Sequence, residues 1–226
     1  ADGHRHDHSH DHGHAHSHDH SHGHHHHHRR YPEILAMVDR LDTTGRGKQR
    51  ARAIVHALAE AEAKVHGMSI EDVSFHEVGA IDSIVDMLGA GVALELLGVE
   101  TITCGPMPMT HGSVRCAHGQ MPVPAPATAY LMRGLRCREV DRAGEWVTPT
   151  GAAICAALAR PATTMPLTEI TAVGYGAGDR DDPHAPNALR LWLGQPVAAA
   201  PLDHEAHRHS HHDPSHTHDH THDHAH

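Results

Sequence analysis

The chain has 226 residues, of which 32 are histidine, and its 18 Lys and Arg face 28 Asp and Glu. With aromatic residues at only 3%, it carries neither the basic surface nor the stacking platform typical of nucleic-acid binding. It has no apolar run of the ~18 residues that a membrane helix needs, no signal peptide, and only four scattered cysteines, so we expect a cytoplasmic protein without membrane or nucleic-acid partners.

The histidines are concentrated at the two ends of the sequence. Residues 1–28 contain fifteen and residues 204–226 contain eleven, mostly alternating with Asp and Ser. Such segments cannot bury apolar surface. We therefore predict a disordered segment over residues 1–28, a folded domain over 29–200, and a second disordered segment over 201–226.

These histidine repeats are candidate metal-binding segments. Imidazole suits Ni²⁺, Zn²⁺ and Cu²⁺, and His24, His26 and His28 are candidate ligands. The run from His24 to His28 alone looks like an expression tag. The interleaved repeats at both ends favour metal storage or delivery over a tag or neutral low complexity.

The first half of the predicted domain has helical periodicity. Apolar residues recur at helical spacing over residues 31–41 and 46–66, and Gly67 ends the second helix. Residues 82–97 are apolar nearly all round, which predicts a buried helix.

The second half alternates short strands and helices. Thr148 and Pro149 are typical of an N-cap and a first helical turn, and Gly134 ends the helix before them. The pattern predicts an α/β (α+β) fold with a mixed sheet and packed helices, and leaves the strand order open. The predicted strands cover residues 101–104, 114–116, 145–147, 168–173 and 188–193, and the helices 126–132 and 149–158.

The string FHEVGAIDSIVD, residues 75–86, contains the first candidate site. In a helix that begins near Ala80, Asp82 and Asp86 lie one turn apart, and His76 and Glu77 precede them. These four are candidate catalytic residues, with His76 also a metal ligand. Alternatively, Asp82 caps the helix and His76 is a core residue, although an unpartnered Asp86 in an apolar helix would be costly.

A second candidate site spans residues 104–119, where Cys104, His111, Cys116 and His118 are candidate metal ligands. Their spacing fits no standard zinc finger, and Cys104 is equally explained as a small core residue.

Two further segments suit a phosphate or nucleotide. Thr148, Thr150 and Gly151 stand at a predicted helix start, which helix capping explains about as well. Gly176 and Gly178 belong to a glycine run that indicates close backbone approach to a ligand, without matching the dinucleotide fingerprint.

Taken together, five strings resemble the LarC family of nickel insertion proteins. The strings are AEAKVHG (61–67), FHEVGAIDSIVD (75–86), CAHGQMPVPAPAT (116–128), GEWVTPTGAA (144–153) and VGYGAGDRD (173–181). The resemblance implies CTP-dependent cyclometallation, a lyase-class reaction that inserts Ni²⁺ into pyridinium-3,5-bisthiocarboxylic acid mononucleotide through nickel–carbon and nickel–sulfur bonds.

The resemblance also implies cofactors and partners. Nickel, and CTP with a divalent metal, are the expected small molecules, and lactate racemase or another nickel-pincer enzyme is the expected recipient. The family's glycine-rich opening segment and its C-terminal CTP domain are not found in this sequence. A separately encoded C-terminal half and a homo-oligomer are therefore candidate partners, and a non-catalytic nickel chaperone or store is the alternative function.

Overall fold

The computed structural model describes residues 29–75, 81–116, 118–178, 182–183 and 186–197. The chain divides into two compact units, residues 1–163 and 164–226, and each is described by itself. Helices accompany both parallel and antiparallel strand pairs, so the predicted α/β class is confirmed. No helix among these residues is long and apolar enough to cross a membrane.

The helices of the first unit begin and end where local sequence signals place them. The Thr44 hydroxyl accepts a hydrogen bond from the Gly47 amide at 3.2 Å and caps the longest helix, which ends at Gly67 in the left-handed conformation with φ of 63°. All five predicted helices are confirmed within two residues. They are α1 (Tyr31–Asp39), α2 (Gly45–His66), α3 (Ile81–Leu96), α4 (Pro126–Leu131) and α5 (Pro149–Leu158).

Helix α2 is the centre of the first unit and contacts α1, α3, α4 and α5. Its periodic apolar face is buried as far as Ala61, as the spacing predicts, whereas Val65, predicted on the same face, is 40% exposed. The buried apolar side chains of α2 are Ala51, Ile54, Val55, Leu58, Ala59 and Ala61.

The prediction that α3 is buried all round is wrong. Ile84, Met87 and Leu88 face the core, whereas Ile81 and Val85 are 67% and 61% exposed. Asp86 lies on the exposed side, so the expected cost of burying its carboxylate does not arise.

The strands of the first unit form four short pairs instead of one continuous sheet. Strand β1 (Arg29–Arg30) pairs antiparallel with β2 (Ser74–Phe75), and β5 (Ser113–Cys116) pairs antiparallel with β6 (Gly119–Pro122). Two pairs are parallel and join distant segments: β3 (Ile102–Cys104) with β8 (Ala159–Pro161), and β4 (Met107–His111) with β7 (Cys137–Ala143).

The predicted strand over residues 145–147 is wrong. These residues form the connection from β7 to α5, after a turn at Gly144 with φ of 84°, and Val147 enters the core. The chain bends between Gly144 and the Thr148 helix cap, and no strand pairs with these residues in the described part of the chain.

The second unit, in its described part, is an antiparallel ribbon of β9 (Thr168–Ala177) and β10 (Ala188–Pro196). Both strands are longer than the sequence predicts, and their register shifts between Leu193 and Gly194. Leu189 and Leu191 of β10 lie opposite Gly176 and Gly174 of β9. The two leucines therefore face positions of β9 that have no side chain.

Candidate functional site

A cavity of about 430 Å³ opens in the first unit, where the end of α2, the start of α3, the β5–β6 hairpin and the start of α5 meet. This volume lies within the range of small-molecule sites. We call it the junction pocket. The side chains that line it and contain nitrogen, oxygen or sulfur are Glu62, His66, Ser83, Asp86, Arg115, Cys116, His118, Met121 and Glu145, with Thr148 and Thr150 beside them.

Two histidines form the best-defined contact of the junction pocket. The His66 and His118 rings lie 5.0 Å apart between centroids and are tilted by 42°. Glu62, one turn before His66 on α2, places its carboxylate 3.4 Å from His66 Nε2. Two imidazoles, a carboxylate and the nearby Cys116 thiol are side chains that bind borderline transition metals.

The first turn of α5 contributes the polar wall of the pocket. The Thr148 hydroxyl accepts a hydrogen bond from the Gly151 amide at 3.2 Å, so helix capping accounts for these two residues. Thr150 is buried and lines the pocket directly. The partial positive charge of this helix terminus favours an anionic group on the pocket side.

The junction pocket unites residues from several predicted sites. Asp86 comes from the first candidate segment, Cys116 and His118 from the second, and Thr148 and Thr150 from the proposed phosphate turn. Asp82 is exposed and does not line this pocket, and its carboxylate accepts a hydrogen bond from the Ser83 amide at 2.9 Å. His76, Glu77, His24, His26 and His28 lie outside the described residues.

Cys104 and His111 are elsewhere in the first unit. His111 ends β4 and faces solvent, with its Nε2 3.2 Å from the Asp141 carboxylate. Cys104 lies beside Met107 and Cys155. Burial, together with the adjacent Cys104 thiol, raises the pKa of the Cys155 thiol to about 12.

Gly176 and Gly178 belong to the β9–β10 unit. Gly176 is in β9, opposite Leu189, and Gly178 follows the strand near the Asn187 side chain. Their proposed nucleotide role stays a prediction.

Glu62, His66 and Glu145 line the junction pocket although the sequence did not single them out. A signal was present for two of them, because a Glu and a His four residues apart on a helix share one face. Glu145 had no such signal, since the connection before α5 was predicted as a strand.

Within the described part of the chain, no three His, Cys, Asp or Glu side chains are grouped closely enough to hold a metal ion alone. The junction pocket contains the His66–His118 pair, with the Glu62 carboxylate beside His66.

A family model described as a nickel insertion protein matches residues 4–223 of the chain. Among curated proteins, one named for nickel insertion from Pelobacter propionicus is 51% identical over 168 residues, or 74% of this chain and 43% of the relative. A similar protein from Thermomicrobium roseum is 51% identical over 172 residues, or 75% of this chain and 42% of the relative.

A further relative carries a more specific name. The pyridinium-3,5-bisthiocarboxylic acid mononucleotide nickel insertion protein of Geobacillus kaustophilus is 46% identical over 167 residues, or 74% of this chain and 41% of the relative. The chain thus spans about two fifths of the length of these relatives. No solved structure matches it.

Proposed function

The chain belongs to the nickel insertion protein family, and from that premise we propose that it takes part in inserting Ni²⁺ into pyridinium-3,5-bisthiocarboxylic acid mononucleotide. The observation that carries the proposal is the junction pocket, which brings imidazole, thiol and carboxylate side chains together beside a helix N-terminus. Nickel is the cargo of this reaction, and the mononucleotide is its acceptor.

The ligands of the pocket suit a metal in transit. His66 and His118 are close enough to act as a pair, with Cys116 lining the same wall. Two protein ligands hold Ni²⁺ while leaving positions for the two thiocarboxylate sulfurs of the acceptor. A complete protein cage would instead retain the ion.

The acceptor also needs an anion site and a base. The start of α5, with Thr150 in the pocket wall, is the proposed site for its phosphate. When the nickel–carbon bond forms, the ring carbon loses a proton, and the carboxylates of Glu62, Asp86 and Glu145 are candidate acceptors of it. Three residues that precede Asp86 in the sequence remain candidate catalytic residues: His76, Glu77 and Asp82.

The wider reaction contains further proposed components. CTP with a divalent metal is the proposed co-substrate. A separately encoded C-terminal half is the proposed partner that binds it. Lactate racemase or another nickel-pincer enzyme is the proposed recipient of the product, and the reaction belongs to the lyase class. Cytoplasmic location and self-association belong to the same proposal.

Nickel storage or delivery without turnover is a second candidate function. It is favoured by the 26 histidines in residues 1–28 and 204–226, far more than one insertion site needs. The two functions differ in whether a nickel–carbon bond forms.

One assay tests the proposal. The chain is incubated with Ni²⁺, Mg²⁺, CTP and the mononucleotide, with and without the C-terminal portion of a relative, and the nickel-containing product is measured by mass spectrometry. We expect product only when the C-terminal portion is present. Absence of product under both conditions would overturn the proposal of nickel insertion and would favour nickel storage or delivery.

A pair of variants then connects the activity to the pocket. Cys116→Ser removes a pocket thiol, and we expect product formation to fall about tenfold, as is typical when a ligand environment is damaged. Cys137→Ser is the matched control, because Cys137 is exposed on β7 away from the junction pocket. Equal activities of the two variants would contradict the location of the site.

A further inference from the structure

Three sulfur atoms meet outside the junction pocket, between the end of β3 and the later turns of α5. Cys104 Sγ lies 3.4 Å from Met107 Sδ. The Cys155 thiol, from α5, lies beside the Cys104 thiol. We call these three residues the sulfur cluster, and none of them lines the junction pocket.

Strand pairing fixes the backbone on both sides of the cluster. The Cys104 carbonyl accepts a hydrogen bond from the Ala162 amide at 2.8 Å, and the Met107 amide donates to the Arg136 carbonyl at 2.7 Å. Gly105 and Pro106 form the short connection between the two sulfur residues. The backbone of two of the three donor residues is therefore held in place before any ligand arrives, which lowers the entropy cost of binding.

The surroundings of the cluster are apolar. Met107 is buried, and Cys104 and Cys155 are half-buried against the hydrophobic core. Among the described contacts, the other group that bonds the Cys104 thiol is the Gly105 carbonyl, at 3.1 Å. A site built from two thiols and a thioether in an apolar setting selects against hard cations, which need oxygen ligands and water.

We propose that Cys104, Met107 and Cys155 form a binding site for the soft monovalent cation Cu(I). Binding forms two copper–thiolate bonds and releases one proton from each thiol to solvent, while the thioether coordinates as a neutral third donor. Copper stays in its monovalent state, so no oxidant or reductant takes part.

This site separates soft from borderline metals within one chain. The junction pocket and the histidine repeats offer mainly nitrogen and oxygen donors, which suit Ni²⁺, whereas the sulfur cluster offers none. The copper proposal does not depend on nickel insertion, and either can fail without the other.

The test measures whether sulfur or nitrogen atoms coordinate Cu(I) on the full chain. Reduced protein receives one equivalent of Cu(I) without oxygen, and X-ray absorption separates copper–sulfur from copper–nitrogen coordination, so that the histidine repeats do not mask the result. We expect sulfur coordination and an ultraviolet thiolate-to-copper band. Against a chromophoric Cu(I) chelator, Cys155→Ser should weaken binding about 100-fold, and Met107→Leu about tenfold.

Two control variants distinguish copper binding at the sulfur cluster from binding at other thiols of the chain. Cys137→Ser and Cys116→Ser each remove a thiol outside the cluster, and both should keep the coordination of the unmodified chain. Copper bound only to nitrogen in the unmodified chain would overturn the proposal. So would sulfur coordination and affinity that survive both Cys155→Ser and Met107→Leu. Met107→Leu keeps an apolar side chain of similar size, so it tests the proposal even where Cys155→Ser disturbs the fold.

Discussion

Glu95 shows how one carboxylate connects two helices. Near the end of α3, its Oε1 accepts a hydrogen bond from the Thr44 hydroxyl at 2.6 Å, and its Oε2 accepts one from Arg46 Nε at 2.7 Å. The Thr44 bond, then the Arg46 bond, holds the pKa of Glu95 below its usual range. The ionised form therefore joins the end of α3 to the N-cap of α2.

This arrangement predicts a pH-dependent stability. The pKa of Glu95 is lower in the folded than in the unfolded chain, so the stabilisation is fully present above the unfolded value and is lost as pH falls through the folded value. Glu95→Gln should lower the melting temperature at pH 7, and the difference from the unmodified chain should shrink between pH 5 and pH 3. Glu100→Gln, at an exposed position after α3, is the control. A difference that stays constant with pH would contradict the role of the charge.

The candidate site was only partly predictable from single residues. Cys116, His118 and Asp86 were recognised because their side chains suit metal or proton chemistry wherever they stand. His66 was passed over because it reads as the polar end of a long helix, and its importance comes from the approach of His118, which is 52 positions later in the chain. Such long-range proximity is set by packing, which no local pattern encodes.

At the scale of elements, α2 and α3 pack unusually closely where Gly91 faces Ala51. A Cβ added to Gly91 would lie 2.7 Å from the Ala51 amide nitrogen, well inside the normal contact distance. The glycine is thus required by the approach of one helix to another.

Gly91→Ala should destabilise the fold by about 1–3 kcal/mol, the usual cost of overpacking. Gly89→Ala is the matched control two positions away, since its Cβ would meet nothing within 4 Å. That control should gain roughly 0.5–1 kcal/mol, because alanine restricts the unfolded chain and favours helix. Urea denaturation measures both. Similar stabilities for the two variants would refute the close approach.

Helices were more predictable than strands for a physical reason. Helices α2 and α5 are predicted by caps and periodic apolar residues that lie within one segment of the sequence. Strand β7 reads CREVDRA, largely polar and exposed, and exists because it pairs in parallel with β4, about 30 residues earlier. Parallel pairing depends on partners distant in sequence, so it leaves a weak local signal.

At the scale of the whole molecule, most histidines lie in residues 1–28 and 204–226, whereas the buried residues that form the core fall between Tyr31 and Ala153. Metal capacity and folding stability should therefore be separable properties of the chain.

Removing both histidine-rich segments should lower the number of bound Ni²⁺ ions several-fold, because 26 of the 32 histidines are lost. The circular dichroism of the remaining chain should keep its helical signal. A control of unchanged length, with the same histidines replaced by asparagine, separates loss of ligands from loss of chain. Equal nickel content before and after truncation, measured by equilibrium dialysis, would contradict a metal-binding role for the histidine-rich segments.

The position of His66 at the end of the most buried helix has an evolutionary consequence. Each residue advances an α-helix by about 100°, so one residue inserted or deleted in the last turns of α2 would carry His66 away from His118. The same insertion or deletion earlier in α2 would also rotate its buried face out of the core. Homologous chains that keep this chemistry should therefore tolerate substitutions in α2 far more readily than changes in its length.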